Sequence, residues 1–176
     1  KKGKTSVFVS GWNNCGQLGL GNNSNEKLLT ELCMPEGFCL ESISCGAKFT
    51  VFVGTINNQS EIFVCGDNSD GQLGLNDFSN RLELTKIDLP EDFTPKSVVC
   101  GDSHMMIRGR GPNNEKYTYA CGSNENRQLG FKNIGKLSRL TKLSMNYVME
   151  NVDSTIHCDV IEALVNNTSL LNCTIS

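Results

Sequence analysis

Short apolar runs alternate along the chain with polar stretches rich in Gly, Asn and Asp. Val7-Phe8-Val9, Val51-Phe52-Val53, Ile62-Phe63-Val64 and Tyr117-Thr118-Tyr119 are typical of the runs. Their β-branched and aromatic content predicts strands, and no window repeats apolar residues at helical spacing for long enough to matter. The predicted strands fall at 7–10, 27–34, 40–45, 49–55, 61–65, 81–88, 96–100, 104–108 and 116–121. Pro35-Glu36-Gly37, Gly46, Asn57-Asn58-Gln59, Pro90, Pro95 and Gly111-Pro112-Asn113-Asn114 break them. Such residues supply the fixed or left-handed φ of tight turns, so the strands should join as antiparallel hairpins.

The polar stretches recur. Gly11-Trp12-Asn13-Asn14-Cys15-Gly16-Gln17-Leu18-Gly19 aligns without gaps with Gly66-Asp67-Asn68-Ser69-Asp70-Gly71-Gln72-Leu73-Gly74 and with Gly122-Ser123-Asn124-Glu125-Asn126-Arg127-Gln128-Leu129-Gly130, at spacings of 55 and 56 residues. Cys45-Gly46-Ala47-Lys48-Phe49 matches Cys100-Gly101-Asp102-Ser103-His104 on the same period, with a degenerate copy at 155–165. An apolar run precedes each Gly motif, ending at Ser10, Cys65, Cys121 and Cys173. Three landmarks sharing one period define a repeat. Four short strands in each period predict an all-β fold of β-propeller blades, each of four antiparallel strands. The chain reads as one region, 1–176, with repeat units at about 11–65, 66–121 and 122–173. The strand at 7–10 reads as the fourth strand of an earlier blade. About three blades and one strand make an incomplete ring. An open arc leaves strand edges and apolar faces uncovered, so a larger propeller is expected, its remaining blades supplied by the same or another chain.

Gly-Gln-Leu-Gly followed by Cys-Gly-x-x-His at fixed spacing resembles the repeat of the regulator of chromosome condensation family, over residues 7–173. The third copy departs from it, with Arg127 in place of Gly, Phe131 after the last Gly, and only His157-Cys158-Asp159 near the second landmark. The repeated glycines are expected to permit positive φ or close approach of neighbouring blades. Leu18, Leu73 and Leu129 should tuck between blades. Gln17, Gln72 and Gln128 should bond to backbone left unpaired by the irregular loop.

Nine cysteines raise the question of metal or disulfide chemistry. Cys45 and Cys100 share one repeat position, and Cys65, Cys121 and Cys173 share another, where a small buried hydrophobe is expected. Cys15, Cys33, Cys39 and Cys158 show no Cys-x-x-Cys spacing. The odd total, with no signal segment read at the start of the chain, favours free thiols and a cytoplasmic or nuclear location. His104 should pack beside a core, since Phe49 stands at the equivalent place. No Ser, His, Asp set or paired general acid and base emerges from spacing, so the expectation is a non-enzyme without cofactor or metal. Lys2-Gly3-Lys4-Thr5 lacks the first Gly and preceding strand of a phosphate loop, and five Asn-x-Ser/Thr sequons, among them Asn22 and Asn58, read as chance in an Asn-rich chain.

With a net charge of −3 and a pI near 5.4, the chain lacks the basic field that nucleic acid binding demands. No apolar stretch reaches the roughly 20 residues of a membrane helix. Recognition then rests on loops carried by a rigid scaffold, here 22–26, 76–80, 109–115 and 131–135. The expected function is a protein-interaction scaffold, with Arg108, Arg110 and Lys116 as candidate partner-binding residues. The family resemblance also implies nucleotide exchange on a small GTPase of the Ran type, or a regulatory domain in a larger protein.

Overall fold

The computed structural model describes residues 6–132 and 134–143. They form strands β1 (Val7–Gly11), β2 (Glu26–Leu32), β3 (Cys39–Cys45), β4 (Phe49–Ile56), β5 (Gln59–Gly66), β6 (Arg81–Lys86), β7 (Thr94–Cys100), β8 (His104–Arg110), β9 (Lys116–Ser123) and β10 (Lys136–Lys142), with a 3-10 turn at Pro112–Asn114. Three antiparallel sheets result: the pair β1-β2, the four-stranded β3-β4-β5-β6 and the four-stranded β7-β8-β9-β10. No helix among the described residues is long and apolar enough to cross a membrane.

Hairpin β4–β5 runs in unbroken register from Phe49 opposite Gly66 to Ile56 opposite Gln59. Asn57 and Asn58, at φ 52° and 65°, close it, the left-handed pair whose twist matches the strands. Its apolar run is continuous because both faces are covered. Val51, Val53, Ile62 and Val64 pack with Leu73, Ile87, Met105, Ile107 and Cys121 in one core. Phe52, Phe63 and Cys65 pack with Val7 and Leu32 in another. Both cores are seams between successive sheets. Each fully buried Val or Ile in them contributes roughly 1.5–3 kcal/mol.

The four-stranded blades are as expected, but their boundaries are not those of the sequence repeat. β2 follows the Gly-Gln-Leu-Gly loop and pairs back onto β1, Val7 opposite Leu32, and β6 likewise pairs back onto β5. The first strand of each repeat unit therefore completes the preceding sheet. It follows that β1 is the third strand of its blade and not the fourth. Pro95, expected to break a strand, lies inside β7 opposite Gly109. It is tolerated because β7 is an edge strand and the register slips by a residue beside it. The part of the third repeat beyond residue 143, with Cys158, His157 and Cys173, lies outside the described residues.

Candidate functional site

Each loop joining the third and fourth strands of a sheet is organised around one buried Asn. Asn13, Asn68 and Asn124 are at most 2% exposed. Their Oδ1 atoms accept the amides of Leu18, Leu73 and Leu129 at 2.9, 3.0 and 2.9 Å. Their Nδ2 groups donate across the loop: Asn13 to Asn22 O and Asn68 to Asp77 O, both at 2.9 Å, and Asn124 to Phe131 O and Ile134 O at 2.7 and 2.6 Å. The glutamines act as expected, Gln17, Gln72 and Gln128 accepting the amides of Cys15, Asp70 and Asn126 at 3.0, 2.9 and 2.9 Å. The asparagine was the stronger organiser, and its recurrence at the third motif position was the signal for it.

These loops also fasten one sheet to the next. Gly21 N donates to Leu82 O at 2.9 Å and Asn76 N to Ser138 O at 2.7 Å, each reaching the fourth strand of the following sheet. Leu18, Leu73 and Leu129 are buried as expected, none above 9% exposed. A side chain at Gly71, where φ is +79°, would put Cβ 2.5 Å from Ser138 Cα, so this Gly is required by both conformation and space. Cys65 and Cys121, both fully buried, point Sγ at the carbonyls of Gln17 and Gln72 in the preceding loops, 3.4 Å away. Burial pushes the Cys65 thiol up to about 12 and drives Cys121 upward as well. Lys136 of β10 meets Asp70 at 2.6 Å across the second seam; that bond raises its ammonium pKa.

The third loop differs. Arg127 replaces the Gly, yet keeps a left-handed φ of 59°. Asn124 N donates to Gly135 O at 2.7 Å, where the amides of Asn13 and Asn68 donate instead to the side-chain Oδ1 atoms of Asn25 and Asn80. Phe131, assigned from sequence to a projecting loop, is only 4% exposed and packs with Ala120 and Leu129.

The second landmark has a steric basis. A Cβ at Gly46 or Gly101 would lie 1.9 or 2.1 Å from the ring of Phe49 or His104, so Gly leaves room for a ring folded over the turn. Partial burial depresses the His104 pKa, opposed by Asp102. Cys45 and Cys100 correct the expectation of burial: Cys45 is exposed and Cys100 half-buried, its pKa lifted to about 11 mainly by burial. They lie at the ends of edge strands β3 and β7, where Cys100 still packs partly against the core. Among the described residues no cluster of His, Cys, Asp and Glu could hold a metal.

Arg108, Arg110 and Lys116 sit on hairpin β8–β9, at the opposite end from the Gly-Gln-Leu-Gly loops. Arg110 stands directly across from Lys116 and Arg108 across from Thr118. Arg108 and Lys116 are exposed and Arg110 half-buried, with its Nη1 donating to Asn114 O at 2.8 Å.

The repeated geometry has counterparts in known proteins. The model of the regulator of chromosome condensation (RCC1) repeat matches residues 5–53 and 59–107, together more than half the chain. The secretion-regulating guanine nucleotide exchange factor of Mus musculus is 33% identical over 128 residues, 70% of this chain and 25% of that protein. The ultraviolet-B receptor UVR8 of Arabidopsis thaliana is 34% identical over 100 residues, 56% of this chain and 22% of that one. The kinase Nek9 of Xenopus laevis is 30% identical over 109 residues, 61% of this chain and 11% of its own length. The chain thus spans a quarter or less of these relatives. Among solved structures, Prp20p of Saccharomyces cerevisiae superposes with a TM-score of 0.64 at 18% identity, covering 79% of this chain and 34% of that one. Human WBSCR16 gives a TM-score of 0.63 at 18% identity, covering 81% and 35%. Buried Asn, Gln-Leu-Gly loops gripping the next sheet and two matched repeats lead to one conclusion: the chain belongs to the regulator of chromosome condensation (RCC1) repeat family.

Proposed function

We propose that this chain is a non-catalytic segment of a β-propeller that presents its loops to a protein partner in the cytoplasm or nucleus. One observation carries the proposal. The three Gly motifs share a hydrogen-bonded frame, while the exposed position that frame holds outward differs: Asn14 in the first, Ser69 in the second, Glu125 in the third. Trp12, 63% exposed, has Asp67 and Ser123 as its counterparts. A fixed scaffold with freely varied display positions suits recognition, and a shared fold does not specify the ligand.

Nucleotide exchange on a small GTPase is the second reading, favoured by the mouse relative being a guanine nucleotide exchange factor. A regulatory role inside a larger protein is a third, in line with the kinase relative. Release of a fluorescent guanine nucleotide from a panel of small GTPases separates them. The scaffold reading expects no acceleration by the complete protein, together with a partner recovered by cross-linking and mass spectrometry. Acceleration of one GTPase would replace the scaffold reading with the exchange reading.

A further inference from the structure

The connection from β6 to β7 opens a groove beside the first complete sheet. Ile62 O accepts Ile87 N at 2.9 Å, and from there the chain parts from β5. Ile87, fully buried, enters the core between the two complete sheets. A turn in which Phe93 N donates to Pro90 O at 3.1 Å then leads to β7. Between this connection and the end of hairpin β4–β5 lies a cavity of about 600 Å³, lined by residues 58–61, 86–90 and 93–94. Both sheets that border it are among the described residues, and Asn58, Gln59, Lys86, Asp88 and Thr94 on its walls are exposed.

One wall of the groove is an unfinished strand edge. Alternate residues of an antiparallel strand turn their N–H and C=O to opposite neighbours. Ile62 turns its carbonyl toward the β6 side, so Ser60, two residues earlier, turns its N–H and C=O the same way. The β5–β6 register begins at Phe63 opposite Lys86, and among the described residues no strand meets Ser60 on that side. Ser60 is half-buried, and main-chain polar groups call for partners. A strand edge that turns donor and acceptor into a groove is the template to which an extended peptide adds.

The other wall is more acidic than its turn requires. The same turn precedes β3, where Phe38 N donates to Pro35 O at 3.1 Å. Cys33 and Gly37 stand there in place of Asp88 and Asp92. Asp92 holds a φ of 58° where Gly37 holds 73°, a conformation that Gly takes at less cost. Asp88, Glu91 and Asp92 are exposed and form no salt bridge among the described residues. The cation on this wall, Lys86, is paired with Glu61 at 2.8 Å.

We propose that this groove binds an extended peptide segment of a protein partner, which adds as a strand beside Ser60 and turns Lys or Arg side chains toward Asp88, Glu91 and Asp92. The proposal rests on the protein-partner reading above. Main-chain pairing supplies the grip, and the carboxylates select a basic sequence over an acidic one.

Fluorescence anisotropy of a labelled Lys-Val-Lys-Val-Lys peptide, titrated with the whole chain, tests this. Glu-Val-Glu-Val-Glu and a backbone N-methylated form of the basic peptide are the other arms. The basic peptide should bind, and both others should bind about tenfold or more weakly. The double variant Asp88→Asn and Asp92→Gly should weaken the basic peptide about three- to tenfold, with a melting temperature unchanged or slightly raised. Ser60→Pro removes the outward N–H at an edge position, where Pro is tolerated, and should lose binding about tenfold or more; if this variant fails to fold, the N-methylated peptide asks the same question. Equal binding of the methylated and unmethylated peptides, or of the basic peptide by wild type and the double variant, would overturn the proposal. So would sedimentation showing a wild-type dimer that Ser60→Pro abolishes, because a second copy of the chain would then be the occupant. If no peptide binds while a cross-linked partner is still recovered, the groove proposal falls and the scaffold reading stands.

Discussion

Sheets β3–β6 and β7–β10 follow one plan, and they differ only where the plan leaves room. In both, the third strand carries at or next to its end a buried Cys and a positive-φ Gly, at Cys65-Gly66 and Cys121-Gly122, and the loop beyond is built on a buried Asn. Ring positions differ, Phe49 against His104. The turns differ as well, two left-handed Asn residues in the first and a 3-10 turn in the second. The hairpin ends change from Thr55 and Ser60 to Arg110 and Lys116. The residues at the centre of each loop are thus repeated in kind, while the hairpin ends, together with the Val53 and Ile62 positions that become Arg108 and Thr118, distinguish one blade from the other.

Breaking the shared part should cost most. Gly71→Val asks a β-branched residue to take φ +79° against backbone 2.5–2.8 Å away and should destabilise by about 3 kcal/mol or more. Ser69→Ala, two residues earlier, removes an exposed 3.2 Å contact to Asp67 and should cost less than about 0.5 kcal/mol. Equal urea midpoints for the two would refute the steric account. Next in size is Asn68→Ala, which strands the Leu73 amide and the Asp77 carbonyl. It should lose about 2 kcal/mol, with Asn124→Ala losing a similar amount in the second sheet if the loops are equivalent.

Smaller effects sharpen the contrast. Arg127→Gly relieves a left-handed arginine and should raise stability by about 0.5–1 kcal/mol; a loss would show that the side chain makes a contact worth more than its backbone strain. His104→Phe should change the pH dependence of melting. Burial depresses the folded-state pKa of His104, so its share of stability is present above the ordinary value of about 6.5. That share is lost as pH falls through this value and then through the lowered one. Melting temperatures measured from about pH 8 to about pH 5 should fall less for the Phe variant, which copies Phe49. Parallel curves would contradict the depressed pKa.

Much of this was legible in the sequence because the repeat shows each motif three times. The strands followed from the β-branched and aromatic runs between turn residues, and the buried Leu73 and the bonding of Gln72 from Gly-Gln-Leu-Gly. Period alone could not show which strands share a sheet: β2 lies within the first repeat unit by sequence, yet hydrogen-bonds to β1. Burial at Cys45 and Cys100 was overread because a repeated position can lie on an edge strand as easily as in a seam. Phe131 looked like a loop residue because it follows the last Gly, but the distorted third loop folds it inward. The shared face of Arg108, Arg110 and Lys116 depends on register across the turn, which a loop of irregular length hides.

At the centre of the account is the claim that each Gly-Gln-Leu-Gly loop grips the fourth strand of the following sheet. Amide hydrogen exchange at Gly21 and Asn76, whose N–H groups bond Leu82 O and Ser138 O, tests it most directly. The account predicts that both amides are protected like those inside β5, and that Gly71→Val releases Asn76 while leaving Gly21 protected. Exchange of both amides at the rate of exposed loop residues in the wild-type chain would contradict it.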